Sequence, residues 1–242
     1  MEEKVRAVVL RGVDYKDNDK ILTLFSLESD LITAAISGVK KAGAKLKFAA
    51  QPFCFCEYVL SVKGDRRSVT SAEIIESFYP VREDIYKLYA GSVALEYTLA
   101  FMQENMESRE YFLHLMEFFQ ALCYKDVSPK IELVRFLLGA LSLSGYEIDL
   151  GGCKKCRKTL INRTFLDFNL GAAACEECRE STDVEINPNT LKLLAEAEKS
   201  YDFPARDPYP AMIENKAIKL LSYFVLVKAG VKLKTVEDLL LL

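Results

Sequence analysis

Residues 153 to 178, CKKCRKTLINRTFLDFNLGAAACEEC, begin and end with the same unit, Cys-x-x-Cys. The pairs Cys153/Cys156 and Cys175/Cys178 are separated by 18 residues, inside the roughly 15–20 residue spacing that marks a four-thiolate zinc site. The cause of that spacing is geometric. A two-residue gap lets both sulfurs of one tight turn reach a single ion at ~2.3 Å, and the intervening loop is long enough to bring the second pair back. Four protein ligands close the coordination sphere and leave no position for water or substrate, so a Zn2+ held there is structural. Lys154, Lys155, Arg157, Lys158 and Arg163 lie close enough in sequence to offset the negative charge of four thiolates. Rival readings are a redox pair, an iron–sulfur cluster or plain buried cysteines. The redox reading expects one motif beside a βαβ unit, whereas this chain has two motifs and no such unit.

The chain has 242 residues, half of them hydrophobic, enough to form a core without disulfides. Met1-Glu-Glu-Lys4 is acidic and is followed by no apolar run like that of a signal peptide. The apolar stretch Leu220 to Val227 falls far short of the roughly 20 residues a bilayer span requires. These features predict a cytosolic protein, where thiols stay reduced and paired cysteines point to metal or redox chemistry. Cys54 and Cys56 alternate in PFCFCEYVL as small apolar strand residues, and Cys123 sits in an apolar helix.

Periodicity divides the rest of the chain. Up to about residue 77 the signals are short and β-like: KVRAVVLR, KILTLFS, LITAAIS, FCFCEYVLSV and SVTSAEII are five candidate strands separated by turn residues. Five strands with no long helix between them predict a small antiparallel barrel, an OB-fold or an SH3-like barrel. After Pro80 the pattern is helical over 82–105, 108–124, 128–145, 187–200 and 211–230, with Leu95, Leu99 and Met102 on one core-facing stripe. Ser108 and Ser128 read as N-caps, and Pro129 suits the first helical position. YDFPARDPYPA reads as a connector. The predicted fold class is α+β and multidomain: an N-terminal OB-fold β-barrel over 1–79, then an all-α domain over 80–242 with the four-cysteine zinc knuckle inserted at about 150–181.

Charge is spread unevenly. Residues 1–80 carry a net +1 and the remainder −4, which argues against a generic polyanion binder. Locally, SGVKKAGAKLKFAA carries Lys40, Lys41, Lys45 and Lys47 and no acid. On the strand reading it is the loop after the third strand, beside the groove in which such barrels bind oligonucleotides. Arg66 and Arg67 sit in the next turn, and Arg11 and Lys20 flank the first. These eight residues are the candidate DNA-binding set. Phe48 and Phe53 are the aromatic residues proposed to stack on bases.

No catalytic constellation emerges. His114, the single histidine, lies among apolar residues in REYFLHLMEFFQ with no nucleophile or carboxylate arranged for it. Neither G-x-x-x-x-G-K-[ST] nor G-x-G-x-x-G occurs. Acidic neighbours such as Glu176-Glu177, or Asp17 and Asp19, read as surface acids. The sequence reads as a binding protein, not an enzyme.

The order of parts resembles the RecO family of bacterial recombination mediators. AVVLRGVDYKDNDKILTLFSLES, SGVKKAGAKLKFAAQPF, SAEIIESFYP, GYEIDLGGCKKC and CEEC carry the likeness over most of residues 5–180. The chain departs from the family pattern at Arg157, where glycine is common, at Ala44, where serine is usual, and in GAAAC, which replaces a glycine pair. The resemblance implies binding of single- and double-stranded DNA, annealing of complementary strands, and work with RecR to load RecA onto DNA coated by single-stranded DNA-binding protein. It also implies that the helical domain receives the acidic, apolar-ended tail of the latter protein. Lys216 and Lys219, one helical turn apart beside Leu220 or Phe224, are the candidate partner-binding residues. Two other classes stay open. A zinc-ribbon transcription or translation factor would put its contacts on the knuckle, where residues 151–182 hold six basic and four acidic side chains. A scaffolding protein would bind no nucleic acid.

Overall fold

The computed structural model describes residues 1–28, 30–102, 108–160, 163–199 and 209–242. All five expected strands form: β1 (Glu2–Tyr15), β2 (Asp19–Ser26), β3 (Asp30–Ile36), β4 (Phe55–Lys63) and β5 (Arg66–Glu76). They close into an OB-like barrel in the order β1-β2-β3-β5-β4. Neighbours are antiparallel except at the closure, where β3 runs parallel to β5 with Ala35 opposite Ser68. Alternation along the strands turns Val5, Leu22, Leu24, Ile32, Tyr58 and Leu60 inward to form the barrel core. Tyr58 is buried with its hydroxyl donating to the Ala49 carbonyl at 2.8 Å, which satisfies the one polar atom that burial would otherwise strand. β1 is long enough to pair with both β2 and β4, and its register shifts between Val9 and Arg11. Just beyond, a Cβ on Gly12 would lie 3.3 Å from Leu22 Cδ2, so glycine allows β1 to close over β2.

The chain forms two compact units, Met1–Cys123 and Tyr124–Leu242. In the first, helices α1 (Tyr79–Glu83), α2 (Ile85–Phe101) and α3 (Arg109–Tyr124, whose last residue falls in the second unit) follow the barrel. The helix expected from residue 82 starts at Ile85 instead, because Asp84 is extended and its carboxylate caps the Lys87 amide at 3.0 Å. α3 sends Tyr111, Phe112 and Phe119 into an aromatic cluster with Phe25, Phe53, Phe55 and Phe78, with ring centroids 5.4–5.9 Å apart. That cluster spans the strand-to-helix junction at residues 79/80 and couples the first helices to the barrel.

The second unit holds α4 (Pro129–Leu143), α5 (Pro188–Lys199), α6 (Ala211–Ala229) and α7 (Thr235–Leu241). Ser128 caps α4 by accepting from the Ile131 amide, with Pro129 opening the helix. Between α4 and α5 the knuckle contains a three-stranded antiparallel sheet in the order β7-β6-β8, from β6 (Thr164–Asp167), β7 (Ala172–Cys175) and β8 (Val184–Ile186). This sheet has no counterpart in the sequence reading, because strands of three or four residues are too short to establish a period. Gly171 precedes β7 at φ +70°, and a Cβ there would meet the Glu147 carbonyl at 2.8 Å. Most of the expected connector YDFPARDPYPA and residues 103–105 of the expected first long helix lie outside the described residues. Among the described residues no helix is long and apolar enough to cross a membrane.

Candidate metal centre and nucleic-acid interface

The two Cys-x-x-Cys turns meet. Within the first, the Arg157 amide donates to the Cys153 carbonyl at 2.9 Å, and within the second the Cys178 amide donates to the Cys175 carbonyl at 3.1 Å. The first turn is pinned to β7 by the Lys154 amide, which donates to the Ala173 carbonyl at 2.7 Å. The four Sγ atoms consequently lie within 4.8 Å of one another, and those of Cys156 and Cys175 are 3.8 Å apart. A tetrahedron with ~2.3 Å metal–sulfur bonds has edges of about 3.8 Å, so the thiols already stand at metal-binding distance. Backbone amides of Cys175 and then Cys156 point at the Cys153 sulfur and bring its pKa down to about 5, which favours the thiolate that a metal requires. Arg157 adopts φ +59°. That is the left-handed region, which favours glycine.

Beneath the turns, Lys154 is buried between two carboxylates, reaching Asp167 at 2.8 Å and Asp183 at 3.1 Å. The three side chains are only 7%, 10% and 0% exposed. Asp167 also accepts the amides of Asn169 and Leu170, and Asp183 that of Glu180. One lysine between two thiols therefore ties the first turn to β6 and to the segment after the second turn, through protein groups alone. The sequence showed Lys154 only as one of several cations near the metal.

The remaining knuckle cations are also engaged. Lys155 pairs with Glu180 at 3.0 Å, Arg157 with Asp149 at 3.4 Å and Lys158 with Glu177 at 3.3 Å. Arg163 holds both Glu176 and Glu185 at 2.7 Å, and Arg179 lies 4.7 Å from the Phe165 ring centroid.

The barrel differs. Residues 37–47 form successive turns, with the Lys41 amide donating to Gly38, Ala44 to Lys41 and Lys47 to Ala44. The loop is anchored to the β1–β2 turn by the Gly38 amide on Asp19 Oδ1 (2.9 Å) and the Lys40 amide on the Asn18 carbonyl (3.2 Å). Lys41, Lys45 and Lys47 are exposed. Lys40 and Lys20 converge on Asp14, at 2.7 and 3.8 Å, and Arg67 contacts Glu3 at 3.5 Å. Arg66 and Arg67 open β5, which flanks the end of β3 leading into the lysine loop. Among the described residues Arg11, Lys41, Lys45, Lys47 and Arg66 make no ion pair.

Two expectations are corrected. Phe53 is 2% exposed, inside the aromatic cluster, and presents no ring to a base, whereas Phe48 is partly buried, packed against the barrel core. On α6, Lys216 and Lys219 are exposed and Leu220 half-buried, but Phe224 is 0% exposed, packed on Phe168. Burial removes Phe224 from any open contact surface.

Known proteins match this sequence along nearly the whole chain. The family described as Recombination protein O N terminal matches residues 1–78, and Recombination protein O C terminal matches residues 82–237. Similar proteins include the DNA repair protein RecO of Caldicellulosiruptor bescii, 26% identical over 240 residues and covering 91% of this chain and 97% of the relative. The DNA repair protein RecO of Pelotomaculum thermopropionicum is 31% identical over 193 residues, covering 79% of this chain and 75% of the relative. That of Clostridium novyi is 29% identical over 184 residues, covering 76% and 72%. With the barrel in one match and the helices and four-cysteine knuckle in the other, the chain belongs to the RecO family of DNA repair proteins.

Proposed function

We propose that this protein is a non-enzymatic recombination mediator that binds single- and double-stranded DNA, anneals complementary strands and, with RecR, promotes loading of RecA onto DNA coated by single-stranded DNA-binding protein. The reading places it in the cytoplasm, associated with the nucleoid. The observation that carries it is the set of exposed, unpaired cations at one barrel loop, Lys41, Lys45 and Lys47, in a chain whose family is one of DNA repair proteins. Among the described residues such cations have no ion-pair partner to give up when a phosphate arrives, and release of the counterions condensed on DNA drives association. Contacts of this kind read the backbone and not the bases, which suits a protein that must act on any sequence. Cys153, Cys156, Cys175 and Cys178 would hold one zinc, whose role is to fix the knuckle.

The acidic tail of single-stranded DNA-binding protein would meet Lys216 and Lys219 on α6, with Leu220 beside them. A Lys216→Glu, Lys219→Glu double variant should lose affinity for a tail peptide; parental affinity would remove these two residues from the reading. The mediator reading itself is tested by titrating salt against binding of unrelated oligonucleotides. Binding that weakens steeply with salt and ignores base composition supports it, and absence of binding at low salt refutes it.

A further inference from the structure

The four thiols of the knuckle are not equally placed. Cys156 is exposed, Cys175 and Cys178 are half-buried, and Cys153 is fully buried. A solute that attacks sulfur therefore meets Cys156 first. The sulfur beside it belongs to the other turn: Cys156 Sγ and Cys175 Sγ stand 3.8 Å apart, and an approach of about 1.8 Å would bring them to disulfide length. Such a bond would join the same two turns that a shared ion joins. An exposed thiolate poised next to a second cysteine is the arrangement that oxidant-responsive thiols use.

The barrel holds a contrasting pair. The sulfurs of Cys54 and Cys56 are closer, at 3.5 Å, but both residues lie in the barrel core, 1% and 0% exposed. That pair has the proximity and lacks the access, and a thiol buried among apolar groups is inert. The knuckle also has a means of keeping its shape while its sulfurs change partners. Lys154 is held by Asp167 and Asp183, and its amide by the Ala173 carbonyl of β7, the strand that ends at Cys175. These contacts involve no ion, so they keep the turn that carries Cys156 beside Cys175.

We infer that Cys156 is a site of oxidation by hydrogen peroxide and that Cys175 completes the reaction, so that the knuckle exchanges its zinc for a Cys156–Cys175 disulfide and regains the metal on reduction. The Cys156 thiolate attacks one peroxide oxygen, the O–O bond breaks, and a sulfenic acid and a hydroxide form. The Cys175 thiolate then attacks the Cys156 sulfur; the S–S bond forms, the S–O bond breaks, and a second hydroxide leaves. Two thiolates have lost two electrons, and one peroxide has gained them. Cys153 and Cys178 alone are too few to retain the ion. A thiol reductant reverses the bond by exchange. The inference rests on the reading of the four cysteines as one zinc site and adds to it a condition under which the metal is given up.

The test uses the full-length chain purified with its metal under reducing conditions. Hydrogen peroxide should release one zinc for each disulfide formed, read with a chromogenic chelator. Peptide mapping should place the bond between Cys156 and Cys175, with Cys54 and Cys56 still reduced. Dithiothreitol and added zinc should then restore the original metal content. Cys156→His leaves three thiolates and one imidazole, a set that zinc accepts, and should retain most of its zinc at the peroxide dose that empties the parent. Mapping of the parent decides the inference even if that variant binds no metal. Zinc retained in peroxide, a disulfide confined to one turn, or oxidation of Cys54 and Cys56 ahead of the knuckle would each overturn it. Release that reduction does not reverse overturns it too. Reduced protein that takes up no zinc refutes the underlying metal reading, whereas zinc-bearing protein that never forms the disulfide refutes the inference alone.

Discussion

In the knuckle Lys155 rests on Glu180, Arg157 on Asp149, Lys158 on Glu177 and Arg163 on two glutamates, while at the barrel loop Lys41, Lys45 and Lys47 stand exposed with no carboxylate partner among the described residues. By number of cations the knuckle is the richer of the two, with six to the loop's four. Counting misleads because the net field near a surface is set by pairs. A phosphate approaching the knuckle meets cations already matched to fixed carboxylates, and one approaching the loop meets cations neutralised only by mobile salt. The knuckle's charge is largely matched within the protein, and that of Lys41, Lys45 and Lys47 is matched by no carboxylate among the described residues.

The largest effect that tests this division is metal loss. Structural zinc contributes about 10–16 kcal/mol of apparent folding free energy in small modules. Cys175→Ser, or a strong chelator, should release one zinc per chain and loosen residues 151–186 without changing the melting of the barrel unit or oligonucleotide affinity. Metal analysis of the purified protein and hydrogen exchange check both halves. A loss of DNA affinity with the metal would erase the distinction between the regions.

Lys154→Met comes next. Removing the cation strands two buried carboxylates, and breaking a buried pair typically costs about 3–5 kcal/mol. The second unit should melt earlier by that amount while zinc still binds, which would establish that the ion triad and the metal support the knuckle separately. An unchanged melting curve would dismiss the triad as a determinant of the knuckle.

The smallest effect sharpens the comparison from the other side, because among the described residues Asp14 is the acid that engages the barrel-loop cation Lys40. Its carboxyl is held below the usual range chiefly by the hydrogen bond from Lys40. A depressed carboxylate contributes stability that is present above about pH 4 and is lost as pH falls through the folded-state value. On the DNA-binding reading, Asp14 at neutral pH competes with phosphate for Lys40 and Lys20. Asp14→Asn should raise DNA affinity a few-fold, as measured by oligonucleotide titration at neutral pH. Reduced affinity would mean that Asp14 positions the loop instead of restraining it.

The parts of this structure that sequence made legible are those decided locally. Five strands could be read because one face of each is buried, so Leu22 and Leu24 or Tyr58 and Leu60 repeat at two-residue intervals. The cysteine site could be read because each pair is set by a single turn. What escaped depends on groups distant in sequence. Phe53 is an apparent surface aromatic until α3, more than fifty residues on, brings Phe119 against it. Lys158 and Lys154 are apparent contact cations until Glu177 and Asp183, 19 and 29 residues away, arrive beside them.

The central claim, that the barrel loop and not the knuckle holds DNA, is tested most directly by measuring oligonucleotide affinity across a salt series for two charge-reversed proteins. One carries Lys40→Glu, Lys41→Glu, Lys45→Glu and Lys47→Glu, and the other Lys155→Glu and Lys158→Glu. Four phosphate contacts give a single-strand slope of roughly −3. The loop variant should lose most of its affinity and flatten that slope while retaining zinc, and the knuckle variant should match the parent in both. The reverse outcome, a parental slope in the loop variant and a flattened one in the knuckle variant, would place the nucleic-acid contact on the cysteine module and contradict the account.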